Sequence, residues 1–263
     1  MSHIWALDMM ARLMALTLIL QAIEIFQLSR QPSFQKIWNF AILRADLESG
    51  LPLPKVLVRL IFSNRSLTIL SLLEVCVASL GFFLLSPWVW VTLFVFRLII
   101  CIRFRGTFNG GSDMMVLVVL TGLIIISFAP TIRLLNLGFI YVTVHVLYSY
   151  VRAGLAKISQ REWRNGTAIA EFLNRSLFED VQNLSVKMSP HLYFVRGLAF
   201  LAIIFELTVP LALLGSQYTV VFATLAILFH FINFFLFGLN RFFWAWIAAW
   251  PAILYTTTLL HPR

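Results

Sequence analysis

The chain has 263 residues, of which 60% are hydrophobic and only 12% charged, against about a quarter charged in an ordinary soluble domain. A water-soluble core cannot absorb that excess, so the expected class is an all-α polytopic transmembrane helix bundle, each span taking about 20 residues with its backbone polar groups paired internally. The net charge of +9 does not point to nucleic acid, because the basic residues are scattered through loops between apolar segments and anionic lipid is their natural counter-charge.

Eight segments have spanning length, over 8–27, 67–85, 87–105, 114–130, 134–153, 193–213, 218–237 and 240–259. The first is expected to be a retained helix and not a cleaved signal. It carries Asp8 inside the apolar run, has no basic stretch before it and lacks a small-residue cleavage site ahead of Glu24. Trp88, Trp90, Trp244, Trp246 and Trp250 stand near segment ends, where amphipathic rings favour the headgroup region. From Trp38 to Arg59 apolar residues alternate with charge and are broken at Gly50-Leu51-Pro52-Leu53-Pro54, which predicts two short surface helices. From an N-cap at Thr167, Ile169, Phe172, Leu173, Leu177 and Val181 recur at helical spacing with Glu171, Arg175 and Glu179 between them, predicting one interfacial helix. The chain reads as a single transmembrane domain over 1–263 with interfacial loops at about 28–66 and 154–192. Lys and Arg crowd the loops after the first, third, fifth and seventh segments, while only Arg133 and Arg263 fall on the other side. Both termini are therefore expected outside the cytoplasm.

A charged group near the bilayer centre costs roughly 2.5–3.5 kcal/mol on insertion scales, so each one inside a span is expected to face a partner or a polar cavity. The spans hold Glu74, Arg97, His145, Arg196, Glu206 and His230, the last with Asn233 on the same face. Glu74 and Arg97 lie on helices joined by the short Leu85-Ser86-Pro87 turn and are expected to pair. His145, Tyr148 and Arg152 share a helix face, predicting a polar stripe that enters from one interface with Lys157 just beyond it. Each histidine alone reads as a helix-bridging hydrogen-bond partner. Two of them with a glutamate and a lysine in one bundle suggest a polar pocket for ligand binding, proton transfer or catalysis. Cys76 and Cys101, both inside spans, read as buried apolar thiols, and no histidine, cysteine or carboxylate spacing supports a metal site. In Asn109-Gly110-Gly111-Ser112-Asp113 the glycines suit a turn with positive φ, and Ser112 or Asp113 suits a helix cap. The segment reads as a tight interhelical turn or as the mouth of the pocket.

The stretch Val151-Arg152-Ala153-Gly154-Leu155-Ala156-Lys157, followed by Trp163-Arg164-Asn165-Gly166-Thr167-Ala168, resembles the horizontally transferred transmembrane (HTTM) family, the membrane-embedded part of the vitamin K-dependent gamma-carboxylase. The Asn109 to Asp113 turn, Phe205-Glu206-Leu207 ahead of Pro210-Leu211, and Phe229-His230 with Asn233 agree in order and spacing, so the likeness covers most of the chain from Arg97 onward. The resemblance implies a lipid-soluble quinone whose reduced form is deprotonated by a lysine that Lys157 matches. A lysine at an apolar boundary loses hydration of its ammonium, which favours a neutral amine able to take a proton; the plain alternative is a lysine snorkelling from a helix end. Two departures stand out. Gly111 occupies the place of a histidine in the carboxylase turn, and the chain to Arg263 has no room for the carboxylase's large extramembrane domain, so glutamate carboxylation itself is not expected. The carboxylase also works on the lumenal face, whereas the charge count puts Lys157 on the cytoplasmic side.

The leading expectation is an HTTM-like integral membrane protein of a bacterial cytoplasmic (inner) membrane. Its pocket would hold a quinone or other lipid-soluble ligand and modify a peptide or small molecule by gamma-carboxylase-like redox chemistry, as a lyase or oxygenase. Lys157 is the expected base, with His145 and His230 as donors or orienting groups. Arg97, Asn109, Asp113, Tyr148, Arg152, Trp163, Glu206 and Asn233 are the expected pocket residues, and no metal is expected. Two other classes stay open: a non-enzymatic subunit that stabilises a partner membrane protein, and a small transporter, although no inverted repeat accompanies Pro210 and Pro251 in their spans. Membrane lipid is the expected partner in every case.

Overall fold

Apolar runs set the helix lengths in this chain, and prolines, glycines and short polar stretches set where helices stop. A computed structural model describes residues 2–105, 110–176, 178–188 and 190–262, and no strand occurs among them. In chain order the helices are α1 (His3–Leu28), α2 (Pro32–Trp38), α3 (Phe40–Gly50), α4 (Lys55–Phe62), α5 (Asn64–Phe83), α6 (Pro87–Arg103) and α7 (Gly110–Ser127). There follow α8 (Ile132–Ser159), α9 (Arg161–Asn165), α10 (Thr167–Asn174), α11 (Glu179–Met188) and α12 (Leu192–Thr208), continued by a 3-10 turn over Val209–Leu214. The chain closes with α13 (Ser216–Phe237) and α14 (Asn240–Leu260). The fold is an all-α polytopic bundle.

Among the described residues six helices are long and apolar enough to cross a membrane: α1, α5, α8, α12 with its 3-10 turn, α13 and α14. The segments expected at 87–105 and 114–130 are helices as well, but α6 stops at 17 residues and the apolar part of α7 covers only Gly111–Ser127. Contacts divide the chain into two compact units, one of Leu7–Gly138 and one of Phe139–Arg263 with the first six residues.

In the Leu7–Gly138 unit, α5 and α6 meet through their buried charges. Arg97 Nε donates to Glu74 Oε1 at 2.5 Å, Arg97 Nη2 donates to the Leu18 carbonyl at 3.4 Å, and both side chains are fully buried. Proline at the first residue of α2 and the Asn39 cap of α3 start these helices, and Asn64 clamps their corner. Its Oδ1 accepts from the Phe40 amide at 2.9 Å and from Arg103 Nη2 at 3.1 Å, while Arg103 Nη2 also donates to the Trp38 carbonyl at 2.7 Å. The two surface helices expected between Trp38 and Arg59 are α3 and α4, separated at Leu51–Pro54 as the proline-rich break requires. Glu48 clasps them by accepting from Arg44 at 2.7 Å and Arg59 at 2.8 Å, and the two guanidiniums hold its carboxyl below the usual carboxylate range. Cys76 is exposed and Cys101 half-buried, correcting the expected buried thiols: both sit on outward helix faces, which an apolar solvent lets a small apolar residue occupy. Trp90, Trp246 and Trp250 are buried inside the helix packing, unlike Trp88, so three of the expected headgroup rings serve the core.

In the Phe139–Arg263 unit, α13 and α14 form an antiparallel pair that turns on Gly238, a left-handed C-cap at φ 68°. Phe243 on α14 packs against Phe231 and Phe234 on α13. Hydroxyls tie the helices together, Thr143 to Thr256 at 2.9 Å between α8 and α14 and Thr219 to Thr257 at 3.0 Å between α13 and α14. The single interfacial helix expected from Thr167 is two helices, α10 and α11. Ser176 makes the break: its hydroxyl donates to the Leu236 carbonyl at 2.8 Å, and its own carbonyl accepts from Gln182 at 2.7 Å. Leu177 lies outside the described residues. Thr167 is the first helical residue and not the cap, a place taken by Gly166 at φ 89°. A Cβ on Gly166 would stand 2.7 Å from both the N and the Cα of Arg196, so this glycine serves the turn and the seating of α9 and α10 on α12.

Two outcomes follow from these contacts. Glu74→Leu alone leaves Arg97 buried without its carboxylate and should cost about 3–5 kcal/mol, whereas Glu74→Leu with Arg97→Met should recover most of that, as read by thermal unfolding of the purified protein in detergent. Gly166→Ala, strained by its positive φ and blocked by backbone, should lower the melting temperature and open residues 161–174 to hydrogen exchange, a loss on the order of 1–3 kcal/mol.

Candidate functional site

The site grows from one face of α8. That helix runs to Ser159, six residues past the end of the expected 134–153 segment, so Lys157 lies in its last turn and not in a loop. At about 100° per residue, Tyr150, Gly154 and Lys157 fall on one face, roughly opposite His145, Tyr148 and Arg152. The first face is turned inward and the second outward.

Gly154 brings the inward face against α12. A Cβ there would stand 2.8 Å from Leu207 Cγ and 3.2 Å from Glu206 Cβ, closer than packed side chains tolerate. This approach lets Lys157 Nζ donate to both oxygens of Glu206, at 2.6 Å and 2.7 Å. Side chains on a helix lean toward its N-terminus, so a lysine in the last turn of α8 reaches back along the bundle and not out to the headgroups. Glu206 is 14 residues into the Leu192–Leu214 apolar span, about 21 Å from its start. The pair is therefore set within apolar helix, and the snorkelling alternative for Lys157 does not describe its contacts. Glu206 is 4% exposed at its side chain and Lys157 19%. Trp163 on α9 faces the ammonium with its ring centre 5.1 Å from Nζ, and Phe172 on α10 continues the aromatic wall at 5.9 Å from Trp163.

A second polar pair lies beside it. The Tyr150 hydroxyl and His230 Nε2 are 2.7 Å apart, both groups buried, joining α8 to α13. Phe242 and Trp246, stacked 4.1 Å apart on α14, pack with the His230 ring, and Phe205 packs with Tyr150. His230 is thus held by shape on several sides and by one hydrogen bond.

Of the expected site residues, the structure brings together Lys157, Glu206 and Trp163 and places His230 with Tyr150. His145 is half-buried and bonds the Tyr141 carbonyl one turn back through Nδ1 at 2.8 Å, while Tyr148 is 63% exposed and Arg152 is exposed. The expected polar stripe is therefore an outward face. Asn233 donates to the Phe229 carbonyl at 3.0 Å within its own helix. Arg97 is committed to Glu74, and Asp113 is buried in the first turn of α7, both in the Leu7–Gly138 unit. Helix α7 begins at Gly110, so Ser112 and Asp113 lie within its first turn; Asn109 lies outside the described residues. Tyr150 and Gly154 were missed. Both become visible once α8 is extended to Ser159 and the face of Lys157 is followed back by seven and three residues. Among the described residues no cluster of three or more metal-ligating side chains occurs.

Residues 128–257 match the family model of the HTTM domain. The matched stretch is about half of the chain and contains Tyr150, Lys157, Trp163, Glu206, His230 and Trp246, while Arg97 and Asp113 lie outside it. No curated protein and no solved structure matches the chain. With its long apolar helices and an HTTM domain that carries the whole Lys157–Glu206 constellation, the chain is an integral membrane protein that belongs to the HTTM family.

Proposed function

We propose that the HTTM domain binds a lipid-soluble hydroxyl compound of the quinol class beside Trp163, and that Lys157 takes its proton. The observation that carries this reading is the uneven exposure of the ion pair: a fifth of the Lys157 side chain is open while its carboxylate partner is sealed, whereas Glu74 and Arg97 are sealed at both ends. The flat Trp163 face stands beside the open lysine, extended by Phe172, and suits a planar ring. A bound quinol supplies an acidic hydroxyl. The residues of the chain handle its proton. Transfer of a proton from Lys157 Nζ to Glu206 Oε1, 2.6 Å away, leaves a neutral amine and a neutral acid, and the amine lone pair is then free to accept the proton of the hydroxyl. Tyr150 and His230 act behind the pair by fixing the positions of α8 and α13. Proton transfer is the one step assigned, and glutamate carboxylation is no part of it.

A second reading, a subunit that packs against a partner membrane protein, draws on α13, where only 11% of the apolar window is buried. A stoichiometric partner whose removal lowers the melting temperature would favour it.

The first reading is tested with Lys157→Met and Glu206→Gln combined, which removes both charges together and strands neither. Wild type should bind reduced decylubiquinone in titration calorimetry. The double variant should keep its melting temperature and bind at least about tenfold more weakly, roughly 1.4 kcal/mol. Equal binding by the two proteins would remove the role of the pair.

A further inference from the structure

Among the buried charges of the Leu7–Gly138 unit, Arg103 stands apart. It is 1% exposed at the last residue of α6, and its Nη2 donates to two neutral acceptors, the Trp38 carbonyl at 2.7 Å and Asn64 Oδ1 at 3.1 Å. Its Nε and Nη1 have no hydrogen-bond partner. Arg97 has Glu74, but no carboxylate among the described residues pairs with Arg103. Gly106 to Asn109, which follow soon after it in the sequence, include no acidic side chain. An enclosed charge without a counter-charge is strongly unfavourable, so its partner is to be sought outside the chain. Asn64, which holds Arg103, is the first residue of α5, and two residues further on Ser66 lines an apolar groove of about 300 Å³. Ile69, Leu70 and Leu73 continue the lining over about 10 Å of α5, joined by Leu60 of α4 and Ile99 of α6. Helix α4 exposes Val56 and Leu60, at 73% and 67%, together with Lys55 and Arg59, the composition of a helix lying at headgroup depth.

We propose that the α4–α5 corner binds an anionic phospholipid, its phosphate at the N-terminus of α5 and an acyl chain in the groove. Three positive features converge on the phosphate. Arg65, in the first turn of α5, is exposed and forms no ion pair among the described residues. The 20-residue α5 begins here, so its N-terminal partial charge adds to the same field. Arg103 does not touch the lipid: it attracts the phosphate from behind Asn64, across an interior that screens charge weakly. The groove decides that the anion carries a chain, because its lining from Ile69 to Leu73 is apolar and leads away from the charged corner. The headgroup is anionic as a whole, since a choline would bring a further cation to a corner that already holds Arg65 and Arg103. This site is separate from that of Lys157, which belongs to the Phe139–Arg263 unit.

The test uses the full chain in detergent, titrated with phosphatidylglycerol or with phosphatidylcholine of the same acyl chains and followed by native mass spectrometry and by melting temperature. Phosphatidylglycerol should bind at least about tenfold more tightly and raise the melting temperature. Glycerol phosphate, the headgroup without chains, should not displace it. Arg103→Met, which removes the buried charge, should lose both the preference and the rise in melting temperature. Arg65→Glu should lose the preference while melting as wild type does without lipid, and Lys187→Glu, a charge reversal in the other unit, should keep it. If Arg103→Met fails to fold, Arg65→Glu decides. Equal binding of the two lipids, a preference kept in Arg65→Glu or in folded Arg103→Met, a preference lost equally in Lys187→Glu, or displacement by glycerol phosphate would overturn the proposal.

Discussion

A lysine ammonium and a carboxylate that leave water each forfeit hydration worth several kcal/mol, and inside apolar helices they recover it only by meeting at hydrogen-bond distance. Lys157 and Glu206 meet that condition with both carboxylate oxygens engaged, and much of the surrounding structure follows from it. Helix α8 must run unbroken to its last turn so that Lys157 reaches back along the bundle. Gly154 must lack a side chain so that α12 comes close enough to present Glu206. Gly166, seated on the backbone of Arg196, then turns the chain so that Trp163 stands over the ammonium. The two glycines and the tryptophan lie within 13 residues of one another, and each serves the geometry of a single ion pair.

The chain contains a second buried pair that makes a useful contrast. Glu74 and Arg97 use the same chemistry between α5 and α6, but both are wholly enclosed, and Arg97 spends another donor on the Leu18 carbonyl. Such a pair fixes helix register. Lys157 keeps part of its side chain open and has an aromatic face beside it, so its surroundings offer room for a third participant. Access, more than charge, separates the two.

Much of the fold was legible in the sequence because hydropathy is a property of long windows. The long helices and the break between α3 and α4 follow from apolar length and proline placement, and the Glu74–Arg97 pair follows from a turn too short to place them elsewhere. The candidate site was legible in part. Lys157, Trp163 and Glu206 were found through family-like motifs, but Tyr150 sits in a run of tyrosines, serines and valines that gives no local sign of burial. His145 and Arg152 misled for a related reason: helical spacing tells which residues share a face and not which way the face turns. The end of α8 was placed short because Arg152 and Lys157 lower the hydropathy there, although neither residue breaks a helix. Ser176 ended α10 through a bond to the Leu236 carbonyl, 60 residues away, and no local pattern carries that information.

The central claim is that Lys157 on α8 and Glu206 on α12 meet as an ion pair. Exchanging the two residues, Lys157→Glu with Glu206→Lys, keeps the attraction and reverses its direction, whereas Lys157→Glu alone sets two carboxylates together. Melting temperatures of the purified proteins in one detergent measure the difference. The account predicts that the single variant falls far below wild type and that the exchanged pair recovers most of the loss. A single variant as stable as wild type, or an exchanged pair no better than the single variant, would contradict it.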